Sequence, residues 1–432
     1  MNYEQAKKEL IRILSIDSVE SEALPNMPFG KGVYDCLISA LDTLSRYGFT
    51  VKNGNGYYGY GEIGQGELFG ILCHLDVVPV TGEWSFPPFG AVEHDNKIYA
   101  RGALDDKGPF ISTLYALTKL LDEGYVPNKR IRIILGCDEE SGWKCMDEYI
   151  KNEEMPVLGI SPDGDFPVIN CEKGIVYHTI RYPKPEKLLS ISAGQRANMV
   201  PDKAQATVYC SRNITTQCLK KDCTYSIDGD YVTIETSGVS SHGSHPENGD
   251  NALIKLLDVL RVDFAFAEDL YKAFSSSDGV GTGLKISDAK SGALTLNLGT
   301  ANVVDDEIVF ELDVRHPVTS TKDFVTDALK SHLFGKVEQG FFHLPLYVDK
   351  EHVLVKTLLK AYNKVMKVDA QPISIGGGTY ARVLPVGVAF GPCFPNSKAN
   401  IHCVDEYIDL TEFEKASEIY YEALKELCFS KK

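Results

Sequence analysis

One histidine and a set of carboxylates stand in four short motifs. His74-Leu75-Asp76 follows the apolar run 68–73, and Leu104-Asp105-Asp106-Lys107-Gly108 precedes a stretch of helical texture. Asp138-Glu139-Glu140-Ser141 follows the apolar run 131–136, and Ser161-Pro162-Asp163-Gly164-Asp165 follows the run 157–160. Brought together, so many acids repel one another unless cations neutralise them. Imidazole and carboxylate without thiolate suit Zn²⁺, Mn²⁺ or Co²⁺. The chemistry such a group offers is hydrolysis by a metal-activated water. Each motif also has a plain reading: a loop histidine, acids at a helix N-terminus, a solvated charge run, a Pro-Asp-Gly turn. Their shared position at strand ends or helix starts favours the joint reading.

The elements that must position these residues follow from the hydrophobic pattern. Residues 4–14 and roughly 33–47 have helical spacing, the second stopped by Gly48. The runs 68–73, 131–136 and 157–160 read as buried strands, and 109–123 as a helix opened by Pro109 and closed by Gly124. Alternating strands and helices predict an α/β fold with a largely parallel sheet, its functional crevice at the carboxyl ends of the strands. From about Ile180 the texture changes. Tyr231–Thr236, Ala293–Leu298 and Ile308–Val314 read as strands, and 251–260 and 321–333 as helices, which predicts an inserted α+β lid domain. Long helices resume at 351–366, and Thr411-Glu412-Phe413-Glu414 has the pattern of a capping box opening the last helix. Gly279, Gly281 and Gly283, after Ser275-Ser276-Ser277, predict a mobile loop. The expected division is 1–179 and 347–432 for the catalytic domain and 180–346 for the lid.

Composition sets the outer limits. The chain has 432 residues, 44% of them hydrophobic, and a formal net charge of −16. That balance argues against binding nucleic acid or anionic lipid. No run approaches ~18 consecutive apolar residues, so no membrane span is expected. The first residues lack the basic and apolar regions of a signal peptide. Eleven cysteines form no C-x-x-C pair, and Cys73, Cys137, Cys171 and Cys210 lie in apolar runs. Buried free thiols in a reducing cytoplasm are the expectation.

The motifs together resemble the co-catalytic di-metal exopeptidases, which include aminoacylase, carboxypeptidase G, succinyl-diaminopimelate desuccinylase and the PepV-type dipeptidases. The resemblance rests on His74-Leu75-Asp76-Val77-Val78-Pro79, Arg101 to Gly108, Asp138 to Gly142 and Ser161-Pro162-Asp163. Gly194-Gln195-Arg196-Ala197-Asn198-Met199-Val200-Pro201 and Ile375-Gly376-Gly377-Gly378-Thr379-Tyr380-Ala381-Arg382 bring it nearest the PepV type. It implies a dipeptidase holding two divalent ions, Zn²⁺ first, with Mn²⁺ or Co²⁺ as alternatives. His74 and Asp163 would hold one ion, Glu140 and His402 the other, and Asp105 would bridge both through a cis peptide to Asp106. Asp76 would hydrogen-bond the far nitrogen of His74, and Glu139 would be the general base. His242, in Val239 to Pro246, would be the lid's oxyanion donor. Asn198, Arg315 and the Gly376-Gly377-Gly378-Thr379 loop would hold a small peptide, Arg315 pairing with its C-terminal carboxylate. His242 and His245 as a separate metal pair is a weaker alternative, since no acid or cysteine lies beside them. For the substrate's free amine, Asp76 and Asp165 are both candidates. The resemblance also implies a catalytic domain with a mixed central sheet flanked by helices, and a monomer.

One departure stands out: His402 is followed by Cys403-Val404 before Asp405-Glu406, where the family commonly shows Pro or Gly. Two rival functions remain. One is a deacylase of N-acyl amino acids or of succinyl-diaminopimelate. The other is a non-enzymatic binding protein on the same fold, disfavoured by the presence of Glu139, all five ligands and His242.

Overall fold

The computed structural model describes residues 1–398 and 400–431. They divide into two compact units: Met1–Asn170 with Val348–Ile373 and the chain from Thr379 onward, and Cys171–Tyr347 with Ser374–Gly378.

The first unit is built on a mixed sheet. Its strands run in the order Thr50–Gly54, Tyr58–Ile63, Arg130–Gly136, Leu68–His74, Leu158–Ser161, Val386–Ala389 and Ile169–Glu172. The four in the middle, 130–136 through 386–389, are parallel; the pairings outside them are antiparallel. Every residue of Leu68–His74 is buried, which explains its unbroken apolar run: a central parallel strand is covered on both faces. The helix Lys107–Asp122 packs against that strand and against Leu410–Cys428. Its start is tight, because a Cβ on Gly108 would lie 2.1 Å from the Ala103 carbonyl oxygen. The last helix differs from the sequence expectation. Its cap is Asp409, whose Oδ1 accepts from the Thr411 and Glu412 N–H groups at 2.8 and 3.2 Å. Thr411 already lies inside the helix, so its hydroxyl cannot serve as the cap.

The second unit is an eight-stranded antiparallel sheet in the order Thr224–Asp228, Tyr231–Ser237, Lys203–Tyr209, Leu188–Ala193, Thr295–Val304, Glu307–His316, Gly174–Pro183 and Lys336–His343. The helices Ala252–Leu260, Ala265–Phe274 and Lys322–His332 contribute to its separate core. The glycines at 279–283 frame a short 3-10 turn. Gly279 and Gly283 take left-handed conformations around the turn Val280–Thr282, and Thr282 is buried. A left-handed residue on either side of a short turn is a job glycine does without strain.

The described cysteines are all free thiols, most of them buried; Cys210 and Cys223 are partly covered, and Cys403 is exposed. Among the described residues no helix is long and apolar enough to cross a membrane.

Candidate active site

The three parallel strands Leu68–His74, Arg130–Gly136 and Leu158–Ser161 end side by side. His74 is the last residue of the first, Glu139 and Glu140 follow the second, and Asp163 follows the third. Asp105 and Asp106 sit at the N-terminus of Lys107–Asp122, joined by a cis peptide bond.

Asp105 addresses two histidines. Its Oδ1 lies 2.8 Å from His74 Nε2, and its Oδ2 lies 2.9 Å from His402 Nε2. The same His402 nitrogen is 2.9 Å from Glu140 Oε1, and His74 Nε2 is 3.8 Å from Asp163 Oδ2. Ligand atoms of His74, Glu139 and Asp163 lie within 4.8 Å of one another, as do those of His74, Asp105 and Glu140. Glu139 thus stands as close to a candidate ion position as the residues expected to be ligands.

The electrostatics fit cations. Burial, with Asp105 beside it, pushes the Asp163 carboxyl up to about 7. Burial and Asp163 push Glu139 well above the carboxylate range, and burial and Asp105 raise Glu140. Burial opposes charge on both histidines, yet the acids beside them win: His74 is held well above its ordinary value by Asp105 and Asp76, and His402 is raised to about 11 by Asp105 and Glu140. Protons here stand where positive charge is wanted. Divalent ions would supply that charge and reverse these shifts. Nitrogen and oxygen donors without thiolate suit Zn²⁺, Mn²⁺ or Co²⁺ alike.

A layer of buried groups holds the donors. The His74 N–H donates to Asp106 Oδ2 at 3.1 Å. On the far side of the imidazole, Nδ1 lies 2.9 Å from the Asp76 main-chain carbonyl and 3.6 Å from its carboxylate. The sequence reading placed the carboxylate there. Instead its Oδ2 accepts from the Glu140 N–H at 3.0 Å and ties two donor loops together. Asp138 takes no part in the donor set. It caps the helix Lys144–Asn152, accepting from the Gly142 and Lys144 N–H groups at 2.8 Å each. Trp143 donates its indole N–H to the Glu139 carbonyl at 2.8 Å. Arg101 and Glu406 form a buried pair at 2.7 Å, and Glu406 also accepts from the Leu104 N–H at 3.1 Å, next to Asp105. Arg101 further donates to the Cys403 carbonyl at 3.2 Å, beside His402. The sequence carries no signal for the role of Trp143; Arg101 stands in the Arg101 to Gly108 motif and Glu406 in the Asp405-Glu406 dipeptide, and nothing in the sequence pairs them.

The family model for peptidase family M20/M25/M40 matches residues 70–426. The chain belongs to this family. It is a peptidase, a hydrolase. It is 39% identical to "Putative dipeptidase YtjP" of Bacillus subtilis (strain 168), over 99% of this chain and 100% of that one. Its fold is that of the M20 metallo-carboxypeptidase Sso-CP2 from Sulfolobus solfataricus, with a TM-score of 0.60, 20% identity and 98% and 99% of the two chains covered. Human carnosine dipeptidase 1 aligns with a TM-score of 0.60, 14% identity and 98% and 96% coverage.

In the second unit of this M20 peptidase another set of residues gathers. The main-chain carbonyl of Asn198 accepts from the Gly243 N–H at 2.7 Å, which joins the Asn198 loop to the His242 loop. Arg315 is buried. Its Nε and one terminal nitrogen grip Asp313 at 2.8 Å each, and the other donates to the Gly376 carbonyl at 2.9 Å. A carboxylate ligand would therefore meet the end of the guanidinium, since Asp313 holds its side edge. Gly376 lies against Ser244: a Cβ there would come within 2.8 Å of the serine Cβ. Both His242 Nδ1 and His245 Nδ1 face the Ser244 hydroxyl, at 2.7 and 2.9 Å. Thr379, in the first unit, caps the short turn Tyr380–Val383 by accepting from the Ala381 N–H at 3.2 Å.

Proposed function

We propose that this M20 peptidase hydrolyses unblocked dipeptides with two divalent ions, releasing single amino acids. The observation that carries the reading is the Asp105 carboxylate, which turns one oxygen to His74 and the other to His402. His74 and Asp163 would hold one ion and Glu140 and His402 the other, with Asp105 shared between the two sets. Zn²⁺ is the first choice, with Mn²⁺ or Co²⁺ accepted by the same donors. When bound, such a pair makes water more acidic and polarises the scissile carbonyl.

The chain's own residues do the rest. Glu139 takes the proton of the attacking water and hands it to the departing amine nitrogen as the C–N bond breaks. His242 donates to the oxygen that gains charge in the transition state. Asn198 holds the peptide backbone, Gly376-Gly377-Gly378-Thr379 line its path, and the end of Arg315 takes the C-terminal carboxylate. For the free amine, Asp76 is enclosed and engaged with the Glu140 N–H. Asp165, which is exposed, is taken as the acid for that amine. The chain is assigned as a cytoplasmic monomer, which its free thiols and its long inserted unit support.

The test is amino-acid release from an unblocked dipeptide and from its N-acetyl twin by metal-replete protein. Cleavage of the free dipeptide alone supports the proposal. Cleavage of the N-acetyl compound alone moves the enzyme to the deacylases.

A further inference from the structure

Three hydrogen bonds meet at one serine in the second unit. The Ser244 main-chain N–H donates to His242 Nδ1 at 3.2 Å. A main-chain N–H can only donate, so His242 Nδ1 is an acceptor and carries no proton. The Ser244 hydroxyl lies 2.7 Å from the same nitrogen. Facing a nitrogen without a proton, the hydroxyl must be the donor. Its single hydrogen is then spent. The remaining neighbour of Ser244 Oγ, His245 Nδ1 at 2.9 Å, must supply its own hydrogen, and the oxygen accepts it. The protons are thereby assigned in sequence: His245 Nδ1–H to Ser244 Oγ, Ser244 Oγ–H to His242 Nδ1. A neutral His242 carries its proton on Nε2.

We infer that Ser244 is a positioning residue that holds His242 in its Nε2–H form, with His245 fixing the direction of the serine hydroxyl. The inference rests on the reading of His242 as the oxyanion donor, a role that needs a hydrogen on Nε2, since Nδ1 is engaged by Ser244. The surroundings leave the serine little freedom. Ser244 is buried, and Gly376 packs against it so closely that any side chain there would strike the serine Cβ. The Gly376 carbonyl is itself fixed by Arg315 at 2.9 Å. The Ser241 hydroxyl donates to the His245 carbonyl at 2.9 Å, and the His245 N–H donates to the His242 carbonyl at 2.9 Å. The loop thus presents both imidazoles to one oxygen. A free imidazole exchanges between tautomers, and fixing one spares the donor that rearrangement when charge develops.

The experiment uses the full-length, zinc-loaded chain with ¹⁵N-labelled histidine. Long-range ¹H–¹⁵N correlation spectra separate protonated from unprotonated ring nitrogens, and His242→Gln and His245→Gln variants assign the signals. The expected wild-type result is an unprotonated Nδ1 on His242 and a protonated Nδ1 on His245. In Ser244→Ala, the His245 signals shift toward the Nε2–H form and the His242 Nδ1 signal toward that of a weaker acceptor. Its kcat for dipeptide cleavage falls about three- to tenfold, the worth of one hydrogen bond, with KM unchanged. A protonated His242 Nδ1 in the wild type overturns the inference, whatever the variant does. So do a His245 tautomer and a His242 Nδ1 signal that both survive Ser244→Ala unaltered. Failure of the wild-type chain to cleave dipeptides would sink the functional reading instead, and the spectra still decide the role of Ser244.

Discussion

The indole N–H of Trp143 is bonded to the main-chain carbonyl of Glu139 at 2.8 Å. Trp143 takes a left-handed backbone conformation, with φ of 61°, at the start of Lys144–Asn152. Its ring packs edge-on against Tyr380 at 5.0 Å, and Tyr380 in turn packs edge-on against His74 at 6.3 Å. A general base depends on geometry before it depends on pKa. Trp143→Phe keeps an aromatic ring and removes the donor. We expect kcat to fall about three- to tenfold, with KM and bound metal unchanged. Steady-state kinetics with metal analysis checks this; a raised KM with unchanged kcat would contradict it.

Replacing the base itself separates chemistry from binding. Glu139→Gln keeps the size of the side chain and removes its ability to take a proton. Activity on a free dipeptide should fall about 10²–10⁴-fold, the range for lost general base catalysis. Bound metal per chain should stay at the wild-type value. Loss of metal along with activity would make Glu139 a ligand, which its nearness to His74 and Asp163 allows.

Arg101 and Glu406 form an ion pair whose side chains are 1% and 0% exposed. Removing one partner strands the other charge in the interior. Arg101→Met should therefore destabilise the chain by ~3–5 kcal/mol in denaturant unfolding. Arg101→Met with Glu406→Leu should recover part of that loss. The recovery stays incomplete because the Leu104 N–H loses its acceptor. A loss under ~1 kcal/mol in the single variant would mean that the pair contributes little.

His178 gives the second unit a pH dependence away from the metal donors. Its Nε2 lies 2.9 Å from Thr326 Oγ1, and burial, helped by the positive charge of Lys330, lowers its pKa to about 4. The unfolded chain takes up that proton at about 6.5. Between the two values the unfolded state binds more protons, so stability falls as pH falls from about 6.5 to 4 and is complete above that window. His178→Phe should flatten this part of the pH–stability curve by up to ~3 kcal/mol relative to wild type. Parallel curves would contradict the assignment.

Much of the first unit was legible because its pattern is local. A central parallel strand such as Leu68–His74 must be apolar throughout, so its end marked where His74 would stand. The helix Lys107–Asp122 declared itself through Pro109 and its apolar face. What was not legible depends on contacts far along the chain or on backbone turns without a residue signature. Glu406 reaches Arg101 across 305 positions. Asp138 looked like one more acid of the donor group, yet the turn at Trp143 folds the chain back onto it as a helix cap. The Asp76 carboxylate is drawn to the Glu140 N–H, a competitor invisible in the motif His74-Leu75-Asp76. At 279–283 the glycine content marked a loop, and in the structure Gly279 and Gly283 take the left-handed corners of a short turn.

The most direct test of the account is a metal titration read out by dipeptide cleavage. Exhaustively chelated protein is reloaded with Zn²⁺ or Mn²⁺, and bound metal and amino-acid release are measured on the same samples. The account predicts no cleavage in the stripped chain, recovery that reaches its plateau at two ions per chain, and loss of that plateau in Asp105→Ala. Full cleavage by the stripped chain, or by Asp105→Ala without a second ion, would contradict it.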